Sequence, residues 1–171
     1  MANKNKNKGK YLENIVSKAI QEAWNLNEFE VHRNQTSGIF QTEFGDIYFK
    51  DLDIIIECKN QESWDFKHIL FWSKPITDFW KQLIKDAEKF RKKLQREPLY
   101  FLVVGKSRYP KFVIFDIVNL HENQVLTNFN LDLFVNHINS YTIINLPNEP
   151  KLCCELQESL KALKLFIKRN G

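Results

Sequence analysis

A chain of 171 residues, 43% hydrophobic and 13% aromatic, is long enough to bury a core and too apolar to stay disordered. Its net charge of +4 is a mild excess that matters only where it clusters. No apolar run reaches membrane-spanning length and no secretory h-region follows the lysine-rich start, so a soluble, intracellular protein with no membrane partner is expected. Cys58, Cys153 and Cys154 form neither a CxxC pair nor an even framework, which fits a reducing compartment.

Residues 1–8, Met-Ala-Asn-Lys-Asn-Lys-Asn-Lys, are low-complexity and basic without an acid. They read as a disordered arm, either merely solubilising or in touch with a phosphate backbone. With no internal repeat, residues 9–171 are expected to form a single domain. From Gly9 to about Trp24, Leu12, Ile15, Val16, Ala19, Ile20 and Ala23 make one apolar helical stripe. Glu13 lies at the edge of that stripe in the first turn, where complementing the helix dipole is sufficient reason for an acid. Phe29 to Arg33 reads as a strand, followed by the polar loop Asn34-Gln35-Thr36-Ser37-Gly38.

The stretch from Gly45 to Lys59 carries the strongest chemical signal. Apolar residues at 47–49 and 54–56 flank the polar Lys50-Asp51-Leu52-Asp53, as in two short antiparallel strands joined by a tight turn. A turn centred on Asp51-Leu52 sets Asp46 opposite Glu57, Tyr48 opposite Ile55 and Lys50 opposite Asp53. Opposed residues share a face with Cβ atoms about 4.5–5.5 Å apart, and alternation adds Lys59 to that face. Ile47, Phe49, Ile54, Ile56 and Cys58 then form the greasy side. Two acids so close repel each other unless a cation neutralises them or one takes a proton, and a hard divalent ion such as Mg²⁺ or Mn²⁺ suits oxygen ligands. Asp53 and Glu57 lie roughly 13 Å apart along one strand, too far to share an ion, so Asp53 reads as a turn residue.

Beyond Lys59, the segment to about Pro75 holds Trp64, Phe66, Phe71 and Trp72 with little periodicity. It fits a piece of core or interface better than a base-stacking groove. Ile76 to about Arg96 is an amphipathic helix with Phe79, Leu83, Ile84, Ala87, Phe90 and Leu94 on one side. Lys81, Lys85, Lys89, Arg91, Lys92, Lys93 and Arg96 on the other outnumber Asp86 and Glu88, which suggests a phosphate-tracking surface. Strands are expected at Leu99–Val104 and Phe112–Ile117. Gly105-Lys106-Ser107 between them mimics the end of a P-loop, but position 100 is Tyr and no helix is expected to follow, so no nucleotide cofactor is expected. A short helix near Leu131–Ile138, a strand near Tyr141–Leu146 and a helix from about Leu152 to Lys168 complete the chain. His121 and His137 lack metal-ligand spacing.

Five pieces together resemble the PD-(D/E)xK nuclease superfamily, and within it the archaeal-type Holliday junction resolvases with their phage-encoded relatives. They are Lys8-Gly9-Lys10-Tyr11-Leu12-Glu13, Arg33-Asn34-Gln35-Thr36-Ser37-Gly38, Gly45-Asp46, Glu57-Cys58-Lys59 and Gln82-Leu83. The resemblance covers residues 8–117; Gly45 stands where the superfamily name has proline, and residues 118–171 find no counterpart.

The resemblance implies an α/β fold with a restriction-endonuclease-like core, a mixed central β-sheet of about five strands flanked by helices. It implies a metal-dependent, structure-selective endodeoxyribonuclease that resolves four-way junctions in DNA recombination and repair, working as a homodimer. Asp46, Glu57 and the Cys58 carbonyl would hold Mg²⁺, with Mn²⁺ as substitute, and Glu13 would complete the site directly or through water. Lys59 would hold the attacking water or the developing charge, Ser37 and Arg33 would sit near the scissile phosphate, and Gln82 would support the site. Lys8, Lys10, Arg33, Lys85, Lys89 and Lys92 are the expected DNA contacts. Two other readings remain: a related nuclease for other branched or duplex DNA, and a nucleic-acid-binding module without catalysis.

Overall fold

The computed structural model describes residues 3–25, 32–33, 44–49 and 52–167, with no account of the side chains of 3–8, 32 and 33. In chain order the elements are α1 (Asn3–Trp24), β1 (His32–Arg33), β2 (Ile47–Phe49), β3 (Ile54–Asn60), α2 (Phe66–Leu70), α3 (Ile76–Leu94) and β4 (Leu99–Gly105). They continue with β5 (Phe112–Asp116), α4 (Ile117–Glu122), α5 (Leu131–Val135), β6 (Tyr141–Ile144), β7 (Lys151–Glu155) and α6 (Leu156–Lys164).

One mixed seven-stranded sheet runs in the order β1-β2-β3-β4-β5-β7-β6. Only β3 and β4 are parallel, because α3 carries the chain back across the sheet between them. The runs Ile54-Ile55-Ile56 and Leu99–Val104 are apolar without alternation, as strands covered on both faces must be. On one face Ile54, Ile56, Phe101, Val103 and Phe115 pack with Leu12, Val16, Ile20 and Trp24 of α1 and with Leu160 and Leu163 of α6. The Trp24 indole donates to the Leu160 carbonyl at 2.9 Å and ties those two helices together. On the other face Tyr48, Ile55, Tyr100, Leu102 and Val104 pack with Phe79, Trp80, Leu83, Ala87 and Phe90 of α3.

Several details differ from the sequence expectation. The sheet has seven strands rather than about five: the expected strands near Arg33 and Tyr141 join it as β1 and β6, and β7 adds one where a helix was expected; residues 29–31 of the first expected strand lie outside the described residues. The helix expected from Leu152 begins only at Leu156, since Leu152 and Cys154 face the α1 side while Cys153 faces the α3 side, a strand's alternation. Helix α1 starts at Asn3, within the stretch read as a disordered arm; its lysines are good helix formers and no proline interrupts them. Among the described residues no helix is long and apolar enough to cross a membrane.

Gly45 sets the entry to β2. Its φ is +61°, and a Cβ there would stand 2.8 Å from Ile55 Cγ2 and 2.9 Å from the Ile56 carbonyl oxygen. Gly45→Ala therefore combines left-handed strain with a backbone clash and should cost about 1–3 kcal/mol or more in chemical denaturation. A stability within experimental error of the parent would show that this turn relaxes freely.

Candidate active site

The hairpin register is the expected one: Ile47 pairs with Ile56, Tyr48 with Ile55 and Phe49 with Ile54. Just before the ladder, the Asp46 amide donates to the Ile56 carbonyl at 2.9 Å, which holds Asp46 against β3. One carboxylate oxygen of Asp46 accepts the Cys58 N–H at 2.8 Å, pinning the side chain against the backbone of β3. Phe44, just before, is held by Phe90 of α3 at 5.1 Å and by Tyr48 at 5.6 Å between ring centroids. Thus the acid is anchored from both neighbours.

Alternation places Glu57 and Lys59 on the α3 side of the sheet with Tyr48 and Ile55, while Cys58 points into the α1 side. Glu57 is 1% exposed; the Lys59 ammonium meets one of its oxygens as an ion pair, and the other has no hydrogen-bond partner among the described residues. Burial, then the charge of Asp46, pushes the Glu57 carboxyl up to about 7 against the opposing pull of Lys59. Asp46 is also raised, first by burial, although the Cys58 N–H and Lys59 favour its charged form.

A third acid belongs to this corner. Asp86 of α3 is buried, and its charge raises both Asp46 and Glu57. Lys89 Nζ stands 2.5 Å from one of its oxygens. In the sequence Asp86 counted only as one acid on a basic helix; a sharper signal was its place at the border of the apolar face, three residues after Leu83 and four before Phe90.

The remaining expected residues are distributed unevenly. Glu13 is half-buried on α1 and adds to the field of Asp46 and Glu57 at the Cys58 thiol, which burial first of all pushes well up. Gln82 is exposed one turn before Asp86 on the same flank of α3. Arg33 lies in β1 opposite Ile47, Lys8 in the first part of α1, and Lys10 is exposed on that helix. Ser37 lies outside the described residues.

The basic face of α3 is less uniform than its sequence suggests. Arg91 forms a double hydrogen bond with Glu97, and Arg96 pairs with Asp53 at 3.0 Å. Lys81, Lys85 and Arg91 line an open cleft of about 820 Å³ with Trp72, Trp80 and Glu88, on the flank away from Asp86. Lys89 leans toward the acids, and Lys93 sits 6.0 Å over the Phe44 ring beside them.

A family model described as "Phage putative PDDEXK endonuclease" matches residues 4–165. The chain belongs to that family. Membership in the PD-(D/E)xK superfamily is therefore shown, and the mixed sheet flanked by helices is consistent with its restriction-endonuclease-like fold. No curated protein and no solved structure matches the chain. The match also spans residues 118–165, which found no counterpart in the motifs.

The described residues contain no group of three or more His, Cys, Asp or Glu side chains disposed to hold a metal ion. Asp46 and Glu57 still fit a hard cation in chemistry, because one buried Glu57 oxygen lacks a donor among the described residues and the pair faces an excess of acid.

The raised Glu57 fixes a pH dependence. A carboxyl whose folded value exceeds its unfolded value binds more protons when folded, so stability falls as pH rises from about 4.5 towards about 7. Thermal denaturation of the chelator-treated protein should show that decline, and Glu57→Gln should flatten it. A melting temperature that climbs through this window in the parent, or an unaltered slope in the variant, would refute the assignment.

Proposed function

We propose that this protein is a divalent-cation-dependent DNA endonuclease acting on branched DNA, four-way junctions foremost, with Asp46, Glu57 and Lys59 as its catalytic group. The observation that carries the reading is the buried Glu57 carboxylate, one oxygen on the Lys59 ammonium and the other without a donor among the described residues, beside the pinned Asp46. An ordinary strand face gains nothing from such an arrangement, whereas a phosphodiesterase requires it.

Asp46, Glu57 and the Cys58 carbonyl would hold Mg²⁺, or Mn²⁺ in its place, with Glu13 contributing directly or through water. A bound ion would supply charge neutralisation at the phosphoryl oxygens and a more acidic water. Asp46 keeps its orientation through the Cys58 N–H whatever happens at its other oxygen. Lys59, with a side chain 16% exposed, can offer its ammonium to the charge that develops on phosphorus oxygens. Asp86 concentrates negative potential on the two ligands and holds Lys89 at the rim of the site. Gln82, on the same flank, would support the site from the helix, and Arg33 and Ser37 would serve near the scissile phosphate.

Lys8, Lys10, Lys85, Lys89 and Lys92 would supply sequence-independent affinity for the DNA backbone. A four-way junction has approximate two-fold symmetry, so paired cuts call for a homodimer with two such sites.

Cleavage of a synthetic four-way junction and of duplex with the same sequence, with Mg²⁺ and with chelator, is the direct test. The junction should be cut in Mg²⁺ alone. Asp46→Asn and Glu57→Gln should abolish cutting while DNA binding persists, and Lys59→Ala should lower kcat roughly a hundredfold or more with little loss of affinity. Undiminished cutting by both acid variants would eliminate the site, and preferential cutting of duplex would eliminate the junction. Replacing Lys89 and Lys92 by Ala should weaken binding and reduce the salt slope by about one to two. An unchanged slope would remove that flank of α3 from the interface.

A further inference from the structure

We infer that α2 and the β4–β5 loop form a stacking shelf for unpaired bases of the DNA beside the cleavage site. Its position comes from the sheet. Lys59 pairs with Val104 and Asn60 with Gly105, the last residues of the parallel strands β3 and β4. Lys106 follows, about 7 Å along the strand direction from Val104. Lys106 Nζ donates to the Trp64 carbonyl at 3.2 Å, and Trp64 belongs to the α3-side core, so the shelf shares Lys59's face and end of the sheet.

The shelf is three rings in contact, Trp64, Phe112 and Phe66, with Lys106 bridging to Tyr109. The Trp64 indole donates to the Gly105 carbonyl at 3.1 Å and meets Phe112 edge-on at 6.3 Å. Phe66 lies 5.5 Å from Phe112, and Lys106 Nζ stands 5.9 Å from the Trp64 ring and 4.5 Å from that of Tyr109. Trp64 is the buried base of this row; Phe66 (39%), Tyr109 (50%) and, past the end of α2, Phe71 (77%) turn outward.

Rings kept in water next to cations ask for a partner that is flat, apolar and anionic. Lys67 and Arg108 are exposed and Lys106 half-buried along the row. The neighbouring acids are engaged locally: Glu62 accepts from the Ser107 hydroxyl and amide, and Asp65 pairs with His68. The surplus is positive. Paired duplex hides its base faces within the stack, so only unpaired bases can use the rings. That substrate suits a branch point, where bases leave the stack. The placement beside the cut rests on the nuclease reading; the stacking does not.

The test is equilibrium binding by the full chain carrying Asp46→Asn, using a forked duplex with single-stranded arms and a blunt duplex with the same paired sequence. Adding Phe66→Ala and Tyr109→Ala should weaken the forked DNA about tenfold to a hundredfold and the blunt DNA less than twofold. 2-Aminopurine in the arms should be quenched by the parent and not by the variant. Should the alanine pair fail to fold, Phe66→Leu with Tyr109→Leu keeps the apolar bulk, removes the rings and should show the same selective loss.

Equal weakening of both DNAs, or undisturbed forked binding, overturns the shelf. So does a variant that loses only self-association in sedimentation, which would assign these rings to a second copy of the chain. A wild-type protein that cuts no DNA yet shows the ring-dependent preference would sink the nuclease reading and leave the shelf standing. Intact cleavage with ring-independent binding would do the reverse.

Discussion

Everything at the site depends on how Asp46 is fastened to β3. Its amide donates to Ile56 and its carboxylate accepts from Cys58, so one residue locks both the strand pairing and the direction of its own side chain. A slip of one residue would turn Glu57 and Lys59 toward the α1 core and push Cys58 toward α3. The left-handed turn at Gly45 and the ring of Phe44 against Phe90 hold the chain in this alignment from the N-terminal side. Local backbone geometry thus does the work that a more extended strand pairing would otherwise do.

Charge is handled in two opposite ways within this molecule. Lys151 is fully buried, yet its ammonium lies 2.9 Å from Asp116, 3.3 Å from Glu149 and 5.0 Å from the Trp80 ring centroid. That group is balanced, and holding the C-terminal strand to the sheet is sufficient reason for it. At the hairpin, Asp46, Glu57 and Asp86 share one corner with Lys59 and Lys89, three acids against two cations, and one oxygen of Glu57 remains without a donor among the described residues. A buried carboxylate left so is costly unless protonated or given a cation. The contrast separates a structural ion pair from a site with capacity to bind.

Helix α3 connects these regions because it packs across both β3 and β4. Its core-facing flank is the amphipathic stripe of the sequence, but its cations serve several purposes. Arg91 and Arg96 secure the residues just after the helix and the β2–β3 turn, through Glu97 and Asp53. Lys89 attends the acids, whereas Lys81 and Lys85 overlook a cleft on the far side. A helix with six positive residues, and Arg96 just past its end, is therefore not one uniform phosphate-binding surface.

The sequence by itself determined the hairpin, the register of Ile47–Phe49 on Ile54–Ile56 and the shared face of Glu57 and Lys59, because strand alternation and turn position are local properties written in the order of residues. It also contained the stripes of α1 and α3, which follow from helical period alone. Tertiary structure decided what periodicity cannot carry: that α3 lays Asp86 against the hairpin, that Asp53 and Glu97 consume two of the arginine charges, and that β7 and β6 extend the same sheet. Each of these joins residues distant in the chain, and no one-dimensional pattern encodes which distant partner closes against which. The rings of Phe66 and Tyr109 belong to the same class, since only the pairing of β3 with β4 brings the β4–β5 loop to Lys59's end of the sheet.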